Sequence, residues 1–323
     1  MKKLIIACFT VLSANSAQAQ ETGMKLWYDR PATQWVESLP LGNGRLGAMV
    51  YGDPIHEEFQ LNEETIWGGS PYNNTNPKAK EALPQIRQLI FESRNKEAQA
   101  LCGPNICSQT ANGMPYQTVG SLHLDFEGIS SYSNYYRELD IEKAVTTTRF
   151  TAGGVTYTRE AFTSFPDQLL IIRLTASEKG KLSFTARYST PYQENITKSI
   201  SSRKELQMDG KANDHEGIEG KVQFTALTRI ERNGGHMESV SDTLLRVRNA
   251  NSVTIYVSIG TNFINYKDIS GNARKTAQTY LKNAGKNYLK AKEAHCATYG
   301  KWFNRVSLDL GSNAQAAKPT DVR

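Results

Sequence analysis

The sequence predicts a mainly β protein: a large antiparallel β-sandwich (supersandwich) with a short helical insertion and a C-terminal helical linker. Three observations predict it. From about residue 120 to 262, apolar and polar residues alternate in short runs separated by polar turns. No helical pattern of crossover length interrupts those runs, so their strands pair antiparallel. Helical periodicity is confined to residues 76–103 and to the region after residue 272.

Composition supports a folded domain and excludes some partners. Of the 323 residues, 39% are apolar and 22% charged, which is enough apolar material for a core. The 38 Lys and Arg and 32 Asp and Glu give a net charge of +6. Without Lys2 and Lys3 it is 36 − 32 = +4, with no basic block. We therefore expect no nucleic-acid partner.

The first residues have the pattern of a secretory signal. Lys2 and Lys3 precede an apolar run from Leu4 to Leu12, and Ala17–Ala19 has the small-x-small form of a cleavage site. This predicts a signal peptide over residues 1–19 and a secreted or periplasmic protein. Lipid attachment at Cys8 is not expected, because the apolar region before it is only four residues long. No run of 18 apolar residues predicts a membrane span.

The N-terminal region mixes strands and helices. Residues 46–51 and 59–61 are typical of short strands, the first preceded by glycine-rich sequence. Asn76-Pro77 is typical of a helix start. An apolar stripe then continues to Leu101, with Pro84 predicted to break it and Gly103 to end it.

The central region has a period of two. Residues 122–126 alternate, and two alternating runs flank Gly153-Gly154, which predicts a hairpin of strands 145–151 and 155–162. Further strands are predicted at 169–174, 182–188, 222–230, 244–247 and 253–259.

Helical periodicity returns towards the C-terminus. The apolar periodicity predicts two helices, at 273–282 and 288–303, separated by Gly285. Residues 306–310 then predict a short strand. We divide the chain into a sandwich domain over 22–268, a helical linker over 270–305 and a final segment over 306–323.

Common catalytic and cofactor motifs are missing from the sequence. It has no Gly-x-Ser-x-Gly elbow, phosphate loop or dinucleotide fingerprint, and its five histidines are scattered. Sugar hydrolysis needs two carboxylates across one bond. Glu57-Glu58 and Glu63-Glu64 are adjacent pairs, and adjacent strand residues point to opposite faces, so neither pair can act alone. We expect no cofactor and no metal.

Two segments carry the candidate binding residues. The segment at 39–48 surrounds Asn43 and Arg45 with three glycines, and the segment at 61–69 groups Asn62, Glu63 and Trp67. Glycines allow close backbone approach, Arg offers a fork of donors, and an indole with amides suits a sugar. A tight turn and ordinary core packing explain the same residues, so both interpretations stay open here.

Cys102 and Cys107 flank a short turn-like segment, Gly103–Ile106. A disulfide between them is possible in an oxidising compartment. Zinc is not expected, because no second ligand pair follows.

The order of several motifs resembles the amino-terminal domain of glycoside hydrolase family 95. The similarity covers nearly all of the chain after the signal. The motifs are LPLGNGRLGAM at 39–49, LNEETIWGGSP at 61–71, NP at 76–77, LPQIRQLI at 83–90, PYQTVGSLHLDF at 115–126, YTREAFTSFPDQLLIIRL at 157–174 and HCATYGKWFNRVSLDLG at 295–311.

The resemblance implies the β-sandwich and linker of a secreted α-L-fucosidase that hydrolyses terminal α-L-fucosyl linkages of glycans with inversion. In that family the catalytic groups lie in an (α/α)6 barrel, which needs on the order of 350 residues. The resemblance therefore implies that 306–323 is only the start of the catalytic domain, that the barrel is a missing partner, and that this fragment has no catalytic residue and is inactive.

Five residues are then candidates to face the substrate or the barrel: Asn43, Arg45, Asn62, Glu63 and Trp67. The expected ligand of the full-length enzyme is a fucosylated oligosaccharide or glycan. The alternative function is a free-standing carbohydrate-binding β-sandwich module that uses Trp67 with Tyr72 and Tyr116. A structural or interaction protein without a ligand is the third possibility.

Overall fold

In the part of the chain that the structure describes, two large antiparallel β-sheets pack face to face, accompanied by four α-helices. The computed structural model describes residues 24–108, 113–192, 194–202, 204–285, 287–311 and 313–323. About 41% is strand and 19% helix, which confirms the mainly β sandwich. The predicted signal peptide at 1–19 lies outside the described residues.

The described residues form sixteen strands and four α-helices. The strands are β1 (Lys25–Tyr28), β2 (Leu39–Gly42), β3 (Leu46–Val50), β4 (His56–Glu63), β5 (Gly120–Phe126), β6 (Ser133–Asp140), β7 (Val145–Ala152), β8 (Val155–Thr163), β9 (Leu170–Ala176), β10 (Leu182–Ser189), β11 (Ile196–Ile200), β12 (Leu206–Lys211), β13 (Gln223–Asn233), β14 (His236–Ser241), β15 (Leu244–Ala250) and β16 (Ser252–Thr261). The helices are α1 (Ala79–Phe91), α2 (Asn95–Asn105), α3 (Ala273–Leu281) and α4 (Tyr288–Phe303).

The two sheets differ in size and enclose the main core. The nine-stranded sheet has the order β1-β6-β7-β8-β9-β16-β13-β12-β11, and the seven-stranded sheet has the order β14-β15-β10-β5-β4-β3-β2. Alternate residues of both sheets meet between them, including the fully buried Phe59, Phe150 and Phe184. This alternation is the period of two seen in the sequence, because one face of each strand is buried.

The hairpin at Gly153-Gly154 is confirmed. Val155 pairs with Ala152, and the register continues to Thr146 and Ala161. Both glycines have positive φ, 55° and 81°, as expected of a two-residue turn that matches the twist of its strands.

The C-terminal helices cover the outer face of the nine-stranded sheet. A second core joins Phe162, Ile171 and Tyr256 of the sheet to Ala277 of α3 and Ala291 of α4. α3 lies against Gly260 of β16, where a Cβ atom would come within 2.5 Å of the Ala277 nitrogen. This close approach requires glycine.

The helical insertion differs from its prediction in its boundaries. α1 begins at Ala79, because the Asn76 side chain accepts from the Lys78 N–H in a turn before the helix. Pro84 lies inside α1, and Gly103 lies inside α2. Burial of Ile86 and Leu89 against Ala98 of α2 outweighs the hydrogen bond that Pro84 cannot donate. The break falls at Ser93, which has a φ of 61°.

The predicted strand at 306–310 is wrong. The segment is irregular, and its Val306 and Leu310 side chains are 85% and 87% exposed. A strand needs a partner for its backbone groups, which propensity alone does not supply. The chain instead returns to the sheet later: the Thr320 N–H donates to the Trp27 carbonyl at 2.9 Å, and Arg30 pairs with Asp321 at 2.6 Å. Residues 320–321 thereby cover the edge strand β1.

Candidate functional site

The turn between β2 and β3 is held by Asn43. This side chain is 8% exposed, and its Oδ1 accepts from the backbone N–H groups of Arg45 and Leu46 at 3.1 and 2.8 Å. Its amide donates at 3.0 Å to the carbonyl of Ser164, which directly follows β8 of the other sheet. Gly44 at the tip has a φ of 90°, which favours glycine. Asn43 therefore joins the two sheets.

Arg45 extends this junction. Its Nε and Nη2 donate to the side-chain and backbone oxygens of Gln168 at 2.8 and 3.2 Å, and its Nη1 donates to the Ile259 carbonyl at 2.7 Å. Nη1 also lies 3.4 Å from Glu63 Oε1. The guanidinium stacks 4.3 Å from the ring centre of Tyr280 on α3. Arg45 thus connects both sheets to the linker helices.

Glu63 completes the cluster from the end of β4. It is 2% exposed, and its Oε2 accepts from the N–H and hydroxyl of Thr65 at 2.8 and 2.6 Å. The Thr65 hydroxyl lies 2.7 Å from that of Thr261. Both carboxylate oxygens of Glu63 have partners and the group is buried. The Arg45–Glu63 cluster therefore holds the structure together and offers no carboxylate that a substrate could reach.

Asn62 lies on the opposite face of β4, towards solvent. The strand register puts Asn62 beside Gly47, and Gln60 beside Met49, on the outer face of the seven-stranded sheet. Together they form the floor of a groove of about 450 Å³, which we call the Asn62 groove. It is lined by Trp35, Leu41, Gly47, Ala48, Met49, Gln60, Asn62, Tyr116, Thr118 and Tyr192.

Trp67 stands next to this groove through Tyr116. The two rings meet edge to face with centres 5.2 Å apart, and the indole N–H donates to the Glu64 carbonyl at 2.9 Å. The Tyr116 hydroxyl donates to the Glu63 carbonyl at 3.1 Å. Burial raises the pKa of Tyr116 to about 12, helped by Glu63 and Glu64 nearby. The phenol is therefore neutral and holds one wall of the groove in place.

The structure separates the five predicted site residues. Asn43, Arg45 and Glu63 lie together between the sheets, whereas Asn62 is exposed in the Asn62 groove and Trp67 is exposed next to it. The sequence reasoning missed the groove residues Trp35, Gln60 and Tyr192. For Gln60 the signal was available, since it lies two residues from Asn62 and strand residues two apart share a face.

A second buried carboxylate is also paired. Glu57 lies between the sheets and bonds Arg159 at 2.8 Å, while the Gly52 N–H donates to its other oxygen at 2.7 Å. Arg159 also donates to the carbonyls of Asp53 and Pro54 and stacks 3.9 Å from the ring centre of Phe126. Burial raises the pKa of Glu57, and the Arg159 charge opposes that shift. This pair is enclosed and cannot reach a substrate.

Two other hollows of about 450 Å³ lie beside α3. Their charged groups include two ion pairs: Asp209 with Arg274 at 2.9 Å, and Glu205 with Arg229 at 2.7 Å. Over the ranges that the structure describes, no group of three or more His, Cys, Asp or Glu is placed to hold a metal ion. None of the helices in those ranges has the length and apolar character needed to cross a membrane.

Cys102 and Cys107 are free thiols in the structure. Cys102 lies in the last turns of α2, and the Cys107 N–H donates to the Cys102 carbonyl at 3.0 Å. The backbone at this position thus closes the helix end. The disulfide that their spacing allows is not formed in this structure.

Comparison with known proteins identifies the domain type. Residues 26–266 match the model of the glycosyl hydrolase family 65, N-terminal domain. The chain belongs to this family. The family 65-type N-terminal domain spans β1 to the segment after β16, and so includes the Arg45–Glu63 cluster and the Asn62 groove.

Curated relatives of this family 65-type domain are named as fucosidases. The chain is 31% identical to Alpha-L-fucosidase 2 of Arabidopsis thaliana, over 90% of this chain and 37% of the relative. It is 29% identical to the Probable alpha-fucosidase A of Aspergillus niger, over 91% of this chain and 39% of the relative. The chain thus spans less than two fifths of the length of these relatives.

Among solved structures, a putative kojibiose phosphorylase from human microbiome matches 88% of this chain and 38% of its own, with 11% identity and a TM-score of 0.48. A bacterial glucoamylase complexed with acarbose matches 58% of this chain and 32% of its own, with 11% identity and a TM-score of 0.39.

Proposed function

We propose that this chain is the amino-terminal β-sandwich domain and linker of a secreted α-L-fucosidase of glycoside hydrolase family 95, which removes terminal α-L-fucosyl residues from glycans with inversion. The observation that carries the proposal is the match of 90% of the chain to a protein named Alpha-L-fucosidase 2. The ordered motifs from residue 39 to 311 support the assignment to family 95.

The catalytic acid and the group that positions the attacking water are proposed to lie outside this chain. Inverting hydrolysis needs two carboxyl groups about 6.5–9.5 Å apart with a sugar between them. Glu57 and Glu63 are buried and hydrogen-bonded, so neither is available to a glycosidic bond. The Asn62 groove carries no carboxylate among its lining residues.

In this proposal the domain supports the catalytic domain. The Arg45–Glu63 cluster ties the two sheets to α3, so it would hold the linker helices at a fixed angle to the sandwich. Asn62 and Trp67 are the exposed members of the predicted set, and they are the ones able to contact a glycan or a neighbouring domain.

The proposal is tested by measuring release of L-fucose from 2′-fucosyllactose. One sample is the 323-residue chain, and the other is the product of the complete reading frame at its locus. We expect release only from the second, with β-L-fucose as the first anomer seen by proton NMR. Release by the 323-residue chain would refute the location of the catalytic groups. No release by either sample would refute the fucosidase proposal.

Secretion is proposed from the predicted signal at residues 1–19. The protein recovered outside the cytoplasm of its natural host should begin near Gln20. Intact mass determination of that protein tests this, and retention of residues 1–19 with the protein confined to the cytoplasm would contradict it.

A further inference from the structure

We propose that the Asn62 groove is a binding site for a neutral oligosaccharide. The inference rests on the shape, side chains and charge of the groove. It goes beyond the proposed fucosidase function, because it assigns glycan binding to this chain itself.

The floor of the groove is open because of glycine. Gly47 pairs with Gly42 on one side and with Asn62 on the other, all directed to the outer face of the seven-stranded sheet. Two neighbouring positions without side chains leave a depression beside the Asn62 amide. A Cβ atom on Gly47 would lie 3.4 Å from the Asn62 Cβ, and Gly47 does not have a positive φ. The backbone at residue 47 can therefore carry a larger side chain, and the depression exists because glycine has none.

Aromatic side chains stand exposed along the groove. Trp35 is 56% exposed and Tyr116 is 39% exposed. Large exposed aromatic faces beside a depression are costly to leave in water, and they suit the apolar C–H face of a sugar ring. Tyr116 is held by its hydrogen bond to Glu63 and by Trp67, so this wall is ordered before any ligand binds.

Two amides in the floor have unused hydrogen-bonding capacity. The side chains of Gln60 and Asn62 make no hydrogen bond to any residue of the described ranges, whereas Thr118 beside them is committed to the Leu61 carbonyl at 2.8 Å. An amide both donates and accepts. It therefore complements sugar hydroxyls, which do the same.

The charge of the groove favours a neutral ligand. None of its lining residues is Lys, Arg, His, Asp or Glu, so an anionic group would be desolvated there without a partner. An extended peptide is disfavoured as well. The adjoining edge strand β2 carries Pro40, which lacks the N–H that a pairing strand needs.

The test measures binding of three sugars to the 323-residue chain by calorimetry: 2′-fucosyllactose, lactose and the anionic 3′-sialyllactose. Three variants change the groove in different ways. Trp35→Ala removes an aromatic wall, Asn62→Leu removes an amide at similar volume, and Gly47→Val fills the floor. The control is Trp302→Ala, which removes a tryptophan that is 62% exposed on α4, away from the groove.

We expect saturable binding of 2′-fucosyllactose, loss of at least tenfold in affinity in each groove variant, and unchanged affinity in Trp302→Ala. All four variants should melt within a few degrees of the parent, since none of the altered side chains makes a hydrogen bond within the described ranges. No saturable binding of either neutral sugar would overturn the proposal, as would parental affinity in both Gly47→Val and Trp35→Ala.

Tighter binding of 3′-sialyllactose than of lactose would overturn the neutral class of ligand. Equal binding of lactose and 2′-fucosyllactose would support the proposal, which requires a neutral glycan and not fucose. Because the fucosidase assay measures release and this test measures binding, failure of one is distinguishable from failure of the other.

Discussion

Replacement of Arg45 by Met tests whether the glycine-rich turn has a structural role. Methionine keeps most of the apolar length of the side chain against Tyr280 and removes the guanidinium. The change deletes the donors to Gln168 and Ile259, at 2.7–3.2 Å, and the contact to Glu63 at 3.4 Å. It leaves the Glu63 carboxylate buried, with Thr65 as its one remaining hydrogen-bond partner among the described residues.

The expected loss of folding free energy is about 3–5 kcal/mol, the range for removing one member of a buried charge pair. Most of it comes from the unpaired Glu63 and from carbonyls left without donors. The double variant Arg45→Met/Glu63→Gln should therefore recover at least about 1 kcal/mol, because the uncompensated charge is removed.

Urea unfolding followed by tryptophan fluorescence measures these differences. The matched control is Arg94→Met, which removes an arginine paired with Glu92 and Glu97 on the surface of the α1–α2 insertion. Its unfolding midpoint should stay close to that of the parent protein. A loss below about 1 kcal/mol in Arg45→Met would refute the reasoning, and so would equal losses in the single and double variants.

Three further predictions concern the interior. Glu57→Leu should lower the free energy of unfolding, measured in urea, by about 3–5 kcal/mol, and adding Arg159→Met should restore most of that loss. If the second change restores nothing, the loss does not come from breaking the Glu57–Arg159 pair. Burial lowers the pKa of His295, and backbone carbonyls that accept hydrogen bonds from the ring oppose this shift. The imidazole therefore takes up a proton more readily in the unfolded chain than in the folded protein. The free energy of unfolding should stay constant above about pH 6.5 and fall as the pH drops below that value. If His295→Phe loses as much stability at low pH as the parent protein, His295 is not the cause. Gly260→Ala should destabilise the protein by about 1–3 kcal/mol or more and loosen α3 in hydrogen exchange, since its Cβ would meet α3 backbone at 2.5 Å; unchanged exchange would disprove that contact.

Most of the interior strands and the linker helices were predictable because their patterns are local, whereas the interior strands β6 and β12 were not predicted. α4 has the predicted bounds, and the β7–β8 hairpin follows from its two glycines and the alternation on either side. A strand with one face in the core must alternate with a period of two, whatever it pairs with.

The four edge strands β1, β2, β11 and β14 were not predicted. An edge strand pairs on one side only, is often short and is less buried, so its sequence need not alternate. β14 shows this plainly, since none of its residues is buried. The strand predicted at 306–310 failed for the converse reason, because its apolar residues found no sheet edge.

The sequence by itself determined that this chain folds as stacked antiparallel sheets, because most interior strands alternate buried and exposed residues along their length. It also identified Asn43, Arg45, Asn62, Glu63 and Trp67 as unusual. Only the tertiary structure decided their roles. Arg45 meets Gln168 and Ile259, which are more than 100 residues away, whereas Asn62 faces out beside Trp35. Such contacts depend on which strands become neighbours, and no local pattern specifies that.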